Sequence, residues 1–241
     1  MSIFTGFKNQ PKLMDGIKVI AFDADDTLWV NEPFYQETEK KFCDMLEDYL
    51  PSHTVSRELL ETEIRNVPLY GYGVKSFMLS MIETAIRISE HTLGTEAIER
   101  VIKLGKEMIE HPIELIDGVE EVLKALQGRY RLVMATKGDL LDQERKLRKS
   151  GLEKYFHHIE IVSEKMEPEY AKLIKHLDIS SAEFLMIGNS IKSDILPVLN
   201  LGGHGFHVPF HTTWEMEKVE IRIDHANFKE LKDISEALNY L

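Results

Sequence analysis

The chain has 241 residues, 43 % of them apolar and 29 % charged, with a formal net charge of −12. This is the composition of a soluble globular protein and argues against a disordered or fibrous one; the length suits one full core, or a core of roughly 150 residues carrying an inserted module. The negative balance repels phosphate backbones and anionic lipid headgroups, so no nucleic-acid or membrane binding through bulk charge is expected, and any site for a phosphorylated molecule must supply its own local cation.

Met1 to Gln10 contains no apolar stretch of signal-peptide length. Val19-Ile20-Ala21-Phe22 is a continuous apolar run that ends abruptly in Asp23-Ala24-Asp25-Asp26-Thr27, the pattern of a buried parallel strand emptying into a polar loop. From Asn31 to Glu110 the periodicity becomes helical. Phe34, Glu37, Lys41 and Met45 recur at helix spacing in a segment ending near Pro51, and Ser56–Arg65 follows. Val74–Ser89 carries a broad apolar face, and Thr95–Ile109 opens on Thr95 as a candidate N-cap. The single cysteine, Cys43, reads as a residue of the first of these helices; one cysteine forms no internal disulfide, which suits a reducing compartment.

Beyond His111-Pro112, helix and strand alternate. Helix Val119–Gln127 is closed by Gly128, and strand Arg131–Ala135 ends in Thr136-Lys137-Gly138. Helix Leu140–Lys149 stops at Gly151, and strand His158–Val162 ends near Lys165. Helix Pro168–Leu177 and strand Phe184–Ile187 follow, the strand ending in Gly188-Asn189-Ser190. The expected remainder is a helix at Ile195–Leu201, a strand at Gly205–Val208, a strand at Glu220–Ile223 and a helix at Phe228–Leu238. Repeated β-α units imply a doubly wound, mostly parallel α/β sheet, with ligands outside the carboxyl ends of its strands. The apolar runs are strand-sized, far short of a membrane span. The expected organisation is therefore an α/β core built from residues 1–30 and 112–241, with an all-helical insert over 31–111. A cytoplasmic location is expected.

The polar clusters all fall at strand ends. Alternate carboxylates after a strand, Asp23 and Asp25, can face one pocket. Three acids in four positions are costly, since two unit charges 4 Å apart repel by about 4 kcal/mol at an effective dielectric of 20; a bound cation relieves this. Asn189 and Asp194 offer oxygens to a hard cation, and Gly188 permits close backbone approach. Thr136 and Lys165 are weak signals taken singly.

Together, in this order, these clusters resemble the motifs of the haloacid dehalogenase-like (HAD) hydrolase superfamily: Asp-x-Asp-x-Thr at Asp23 to Thr27, a strand-ending Thr at Thr136, a Lys at Lys165, and a Gly-led acidic strand end from Gly188 to Asp194. The resemblance covers essentially the whole chain, with the helical segment as a cap inserted after the first motif. It implies a Rossmann-like core and hydrolysis of a phosphomonoester on a small metabolite through an aspartyl-phosphate. In that scheme Asp23 is the nucleophile. Asp25 is the general acid and then base, which requires its pKa to be raised by the nearby acids. Mg²⁺ would be held by Asp23, the main-chain carbonyl of Asp25, and one or both of Asn189 and Asp194, while Lys165, Thr136 and the amide of Lys137 would bind phosphate oxygens.

Two departures matter. Asn189 stands where the superfamily usually has Asp, and Lys165 is followed by Met166 rather than Pro. The amide at Asn189 leans toward the metal-independent 2-haloacid dehalogenases, whereas the presence of Asp25 argues for phosphate chemistry; a catalytically silent binding protein is the third reading. His204, His207 and His211 invite a zinc reading but flank a strand and Pro209, so loop and strand-edge histidines are the better account. Tyr70-Gly71-Tyr72-Gly73 reads either as a loop reaching the active site or as ordinary packing between helices. The acidic runs Glu58–Glu63 and Glu215–Glu220 read as solvated faces.

Overall fold

The computed structural model describes Met14, residues 16–219 and residues 221–241. The expectation for Met1–Gln10 falls outside the described residues. Among them, no helix is long and apolar enough to cross a membrane.

The described residues form a six-stranded parallel sheet. Its strands are β1 (Val19–Phe22), β2 (Arg131–Lys137), β3 (His158–Val162), β4 (Phe184–Gly188), β5 (His204–His207) and β6 (Phe228–Glu230), in the order β3-β2-β1-β4-β5-β6. β1 and β4 are apolar because both their faces are covered, and every residue of each is buried. The chain leaves β1 toward β2 on one side and returns to β4 on the other. The carboxyl ends of β1 and β4 therefore flank the point where strand order reverses, and a crevice opens there.

Two apolar layers sandwich the sheet. On one face Ile20, Phe22, Met134, Leu185 and Ile187 pack with Val122, Leu123 and Leu126 of α5 (Val119–Leu126) and with Leu147 of α6 (Leu140–Ser150). On the other, Val19, Ala21, Val133 and Met186 meet Tyr170, Leu173 and Ile174 of α7 (Glu167–His176) and Val198 of α8 (Leu196–Asn200).

Between β1 and α5 lie four helices: α1 (Glu32–Met45), α2 (Ser52–Tyr70), α3 (Val74–Ile88) and α4 (Thr95–Glu110). Phe42, Leu46, Leu59, Phe77, Met81 and Val101 give them an apolar core of their own. Cys43 is buried in the first. The connections into and out of this segment run side by side: Val30 N–H donates to Glu114 O at 2.9 Å and Ile116 N–H to Leu28 O at 3.1 Å.

Some local expectations fail. The second inserted helix runs from Ser52 to Tyr70, through Pro68, and the fourth is preceded by Gly94 at the N-cap position, with Thr95 as its first residue. No strand forms at residues 221–223, and Glu220 is outside the described residues. The helix expected over Phe228–Leu238 is instead β6 followed by a 3₁₀ turn at Ile234–Asn239. Leu231, Ile234 and Ala237 are buried as a helix would bury them, but the backbone of Phe228–Glu230 is taken up by the edge of β5. Edge pairing satisfies main-chain groups that a lone short helix would leave at its ends.

Candidate active site

Asp23 follows the last residue of β1, its N–H donating to Ile187 O of β4 at 2.9 Å. Its carboxylate receives the Lys165 ammonium on Oδ1 and the Thr27 hydroxyl on Oδ2 at 3.2 Å. Lys165, in the loop between β3 and α7, also donates to Asp194 Oδ1 at 2.7 Å, and its side chain is only 3 % exposed. A lone lysine is usually a solvated one; this one is enclosed by two acids, whose charges outweigh burial and raise its pKa. One ammonium shared by two buried carboxylates leaves an excess negative charge. Burial accordingly pushes Asp23 up to about 7, against the pull of the Lys165 charge and with a further push from Asp194.

Asp25 lines the same cavity, of about 160 Å³, as Asp23. Its Oδ1 accepts from Trp29 Nε1 at 2.7 Å and Lys146 Nζ at 2.9 Å, and its Oδ2 from Gln143 Nε2 at 2.8 Å. Burial opposes its charge, but the Lys146 ammonium and these three hydrogen bonds win, and its pKa is lowered. The expectation of a raised pKa is therefore wrong for this conformation. It counted the neighbouring acids and missed Lys146, which arrives from α6, 121 positions along the chain.

The third acid of the run, Asp26, adopts a left-handed backbone (φ 61°) and turns its carboxylate onto the N–H groups of Asn31 and Glu32, at the start of the first inserted helix. Burial still raises it to about 8.

Thr136, near the end of β2, is buried, and its hydroxyl meets only the adjacent Lys137 carbonyl, at a long 3.4 Å, so it is free to donate to a ligand in the cavity. Asn189 follows β4; its Oδ1 accepts from Thr27 at 3.3 Å and its carbonyl contacts His207 Nε2 at 3.0 Å. Asp194 sits in a π-helical turn, Ile191–Ile195. Its Oδ2 accepts from the Ser190 N–H at 2.9 Å, and a Cβ at Gly188 would run into its carboxyl group, so glycine there is what lets this acid lie against β4.

Asp23, Asp25, Thr136, Lys137, Lys165, Asn189 and Asp194 thus all line one cavity. The side-chain oxygens at hand for a metal belong to Asp23, Asn189 and Asp194, and each residue already accepts hydrogen bonds: Asp23 from Lys165 and Thr27, Asn189 from Thr27, and Asp194 from Lys165 and Ser190. Among the described residues no group of three or more His, Cys, Asp and Glu is arranged to hold a metal ion. The all-oxygen set and the unbalanced negative charge nevertheless fit a hard divalent cation.

Other residues of the cavity escaped the sequence. Glu217, expected on a solvated face, pairs with Lys137 and accepts from Ser190 and Ser193. Glu63, expected on another, lines the cavity, where burial pushes it up to about 8. Tyr72 does reach the cavity: its hydroxyl donates to Glu164 at 3.0 Å, and the Lys137 ammonium lies 4.4 Å from its ring centre. No local pattern marks Glu63 or Glu217, because what distinguishes them is the cavity they face.

A cavity lined by carboxylates and lysines at the switch point of a doubly wound parallel sheet is what this arrangement defines. A model of the haloacid dehalogenase-like hydrolase family matches residues 17–202, and the chain belongs to that family. It is similar to a haloacid dehalogenase-like family hydrolase from Xanthomonas campestris, with 39 % identity, a TM-score of 0.83, and coverage of 92 % of this chain and 88 % of that one. It shares its fold with the putative HAD-hydrolase YfnB from Bacillus subtilis, a magnesium-bound structure (18 % identity, TM-score 0.63, coverage 92 % and 96 %). The fold is also that of a 2-haloacid dehalogenase from Pseudomonas syringae (17 % identity, TM-score 0.64, coverage 93 % and 97 %). The comparison with curated proteins returned no match.

Proposed function

We propose that the protein is a Mg²⁺-dependent phosphomonoesterase acting on a small phosphorylated metabolite. The observation that carries this reading is the second carboxylate: Asp25 lines the cavity beside Asp23, with both oxygens held by donors. Displacing an alkoxide calls for a proton donor and hydrolysing an acyl-phosphate calls for a base, and a second carboxylate can supply both. A carbon–halogen bond needs no proton for its leaving group.

In this reading Asp23 attacks phosphorus and becomes an aspartyl-phosphate. A −1 charge meeting a −2 charge at 4 Å costs roughly 8 kcal/mol at a dielectric of 20. Lys165 offsets part of this, and Thr136 with the Lys137 amide holds the phosphate oxygens in line. Mg²⁺, which Asp23, the Asp25 carbonyl and one or both of Asn189 and Asp194 would hold, would supply the remaining charge compensation when bound. Asp25, ionised here, is ready to deprotonate the hydrolytic water. To protonate the leaving oxygen it must first release Lys146 and take up a proton.

The helical segment over residues 31–111 would act as the cap, its paired connections serving as hinge, and would exclude water from the cavity. The test is hydrolysis of para-nitrophenyl phosphate with Mg²⁺ and with EDTA, alongside release of halide from 2-chloropropionate. Phosphate release only with Mg²⁺ is expected. Halide release that survives EDTA would replace this reading with the dehalogenase one, which the uncharged Asn189 favours.

A further inference from the structure

Glu217 lies in a 3₁₀ turn, Glu215–Glu217, within the connection between β5 and β6. Its carboxylate enters the cavity that holds Asp23. There it receives the Lys137 ammonium, the Ser190 hydroxyl at 2.5 Å and the Ser193 hydroxyl at 2.7 Å. The Lys137 ammonium also donates to Ser193 Oγ at 3.2 Å, so the donors are joined to one another. Burial works against the charge on Glu217, but Lys137 and the three hydrogen bonds prevail and hold its pKa below the usual range.

The donors are well anchored. Lys137 ends β2, and both serines are buried in the turn that follows β4. The segment that delivers the carboxylate is less so: apart from the Glu217 side chain, only 12 % exposed, residues 209–219 are half-buried or exposed. Its attachments are polar or at edges: Glu217 itself, the Met216 carbonyl accepting from Lys192 Nζ at 2.8 Å, and Trp214 set edge-on to Tyr72 at 5.8 Å. A segment with so little buried apolar surface opens locally at low cost.

A cationic ammonium and two hydroxyls converging on one carboxylate is the chemistry of an anion site. We infer that Lys137, Ser190 and Ser193 form an anion subsite beside Asp23, that Glu217 fills it in the free protein, and that a substrate with a second anionic group on its alcohol portion displaces Glu217 from it. The inference rests on the phosphomonoesterase reading for its substrate class, but the subsite itself does not. Being tethered, Glu217 competes at high effective concentration, so it also screens out weak anions.

The test compares KM for three esters, glycerol 3-phosphate, 3-phosphoglycerate and propane-1,3-diol bisphosphate, in the native protein and in Glu217→Ala. The expected result is that KM for at least one doubly anionic ester, relative to glycerol 3-phosphate, falls about tenfold in the variant, equivalent to 1.4 kcal/mol. Whichever of the two esters gains more identifies the second anion as carboxylate or phosphate. An unchanged KM ratio for both would make Glu217 a structural partner of Lys137 and overturn the inference. Glu217→Gln, which removes the charge but keeps the hydroxyl contacts, takes over if the alanine variant does not fold or has no measurable turnover. If the native protein hydrolyses none of the esters, the phosphomonoesterase reading fails and malonate binding by calorimetry judges the subsite alone. Binding about tenfold tighter in Glu217→Gln supports it, and equal binding overturns it.

Discussion

Lys146 and Asp25 are joined at 2.9 Å, and the same ammonium reaches the Asn31 side chain at 2.7 Å, where the chain enters the helical segment. One lysine of α6 thus holds both the second carboxylate of the site and the base of the insert. Lys146→Met removes the charge that keeps Asp25 ionised and fixed. Asp25 must release Lys146 before it can protonate a leaving oxygen, so what the variant loses is the ionised base that every ester's aspartyl-phosphate needs. We expect turnover of alkyl phosphates and of para-nitrophenyl phosphate to fall alike, by about 10²-fold, the usual contribution of a positioned acid–base group, with the acid limb of the pH profile moved to higher pH. A folded variant with an unchanged pH profile would show that Lys146 serves the fold and not Asp25.

Asp23→Asn should abolish turnover while leaving the fold intact. Asp23 is a buried acid that shares its only ammonium with Asp194. Replacing it with an amide leaves Lys165 and Asp194 as a balanced pair. A thermal melt should therefore show a Tm equal to or above that of the native protein. Residual phosphatase activity in a homogeneous preparation would remove Asp23 from the mechanism.

Asn189→Asp adds a charge to the proposed metal set without changing its size. The Mg²⁺ concentration giving half-maximal activity should fall, by about tenfold if the added interaction is worth 1.4 kcal/mol. An unchanged Mg²⁺ titration would show that position 189 does not touch the metal.

Glu63 carries a pH signature. Burial raises it from 4.5 to about 8, with the Glu39 and Glu32 charges adding to the push. A carboxyl raised in the folded state holds its proton there longer than in the unfolded chain. Its contribution is thus present in full below about pH 4.5 and is lost as pH rises toward 8. Glu63→Gln, permanently neutral, should be the more stable at pH 8, by up to about 4 kcal/mol, and no more stable at pH 4.5. Urea midpoints at the two pH values measure this; a gain that is the same at both would place the effect elsewhere.

What could be read in the sequence was whatever a strand end announces. The runs before Asp23, Thr136 and Asn189 are uniformly apolar because they are buried on both faces, and such runs place the following polar residues at the sheet's carboxyl edge. Lys165 was legible only as one of an ordered set. Lys146, Gln143, Glu63 and Glu217 were not legible, because each sits on a helix or a connection whose surface pattern is ordinary. They matter only through contacts with residues far along the chain, and Glu217 in an acidic run looks like any solvated glutamate. The C-terminal segment misled for a related reason: Leu231, Ile234 and Ala237 have helical spacing, yet the free edge of β5 claims the backbone just before them.

Leu28 and Val30 lie hydrogen-bonded beside Ile116 and Glu114. The helical segment therefore hangs from the sheet by two adjacent threads, and the distance its ends must span does not depend on how much chain lies between them. Closing such a loop grows more costly only slowly with its length. A shorter, longer or entirely different pendant could be suspended from the same two threads with the strands beneath undisturbed. In this architecture the strands with their reacting groups and the inserted helices can be inherited separately.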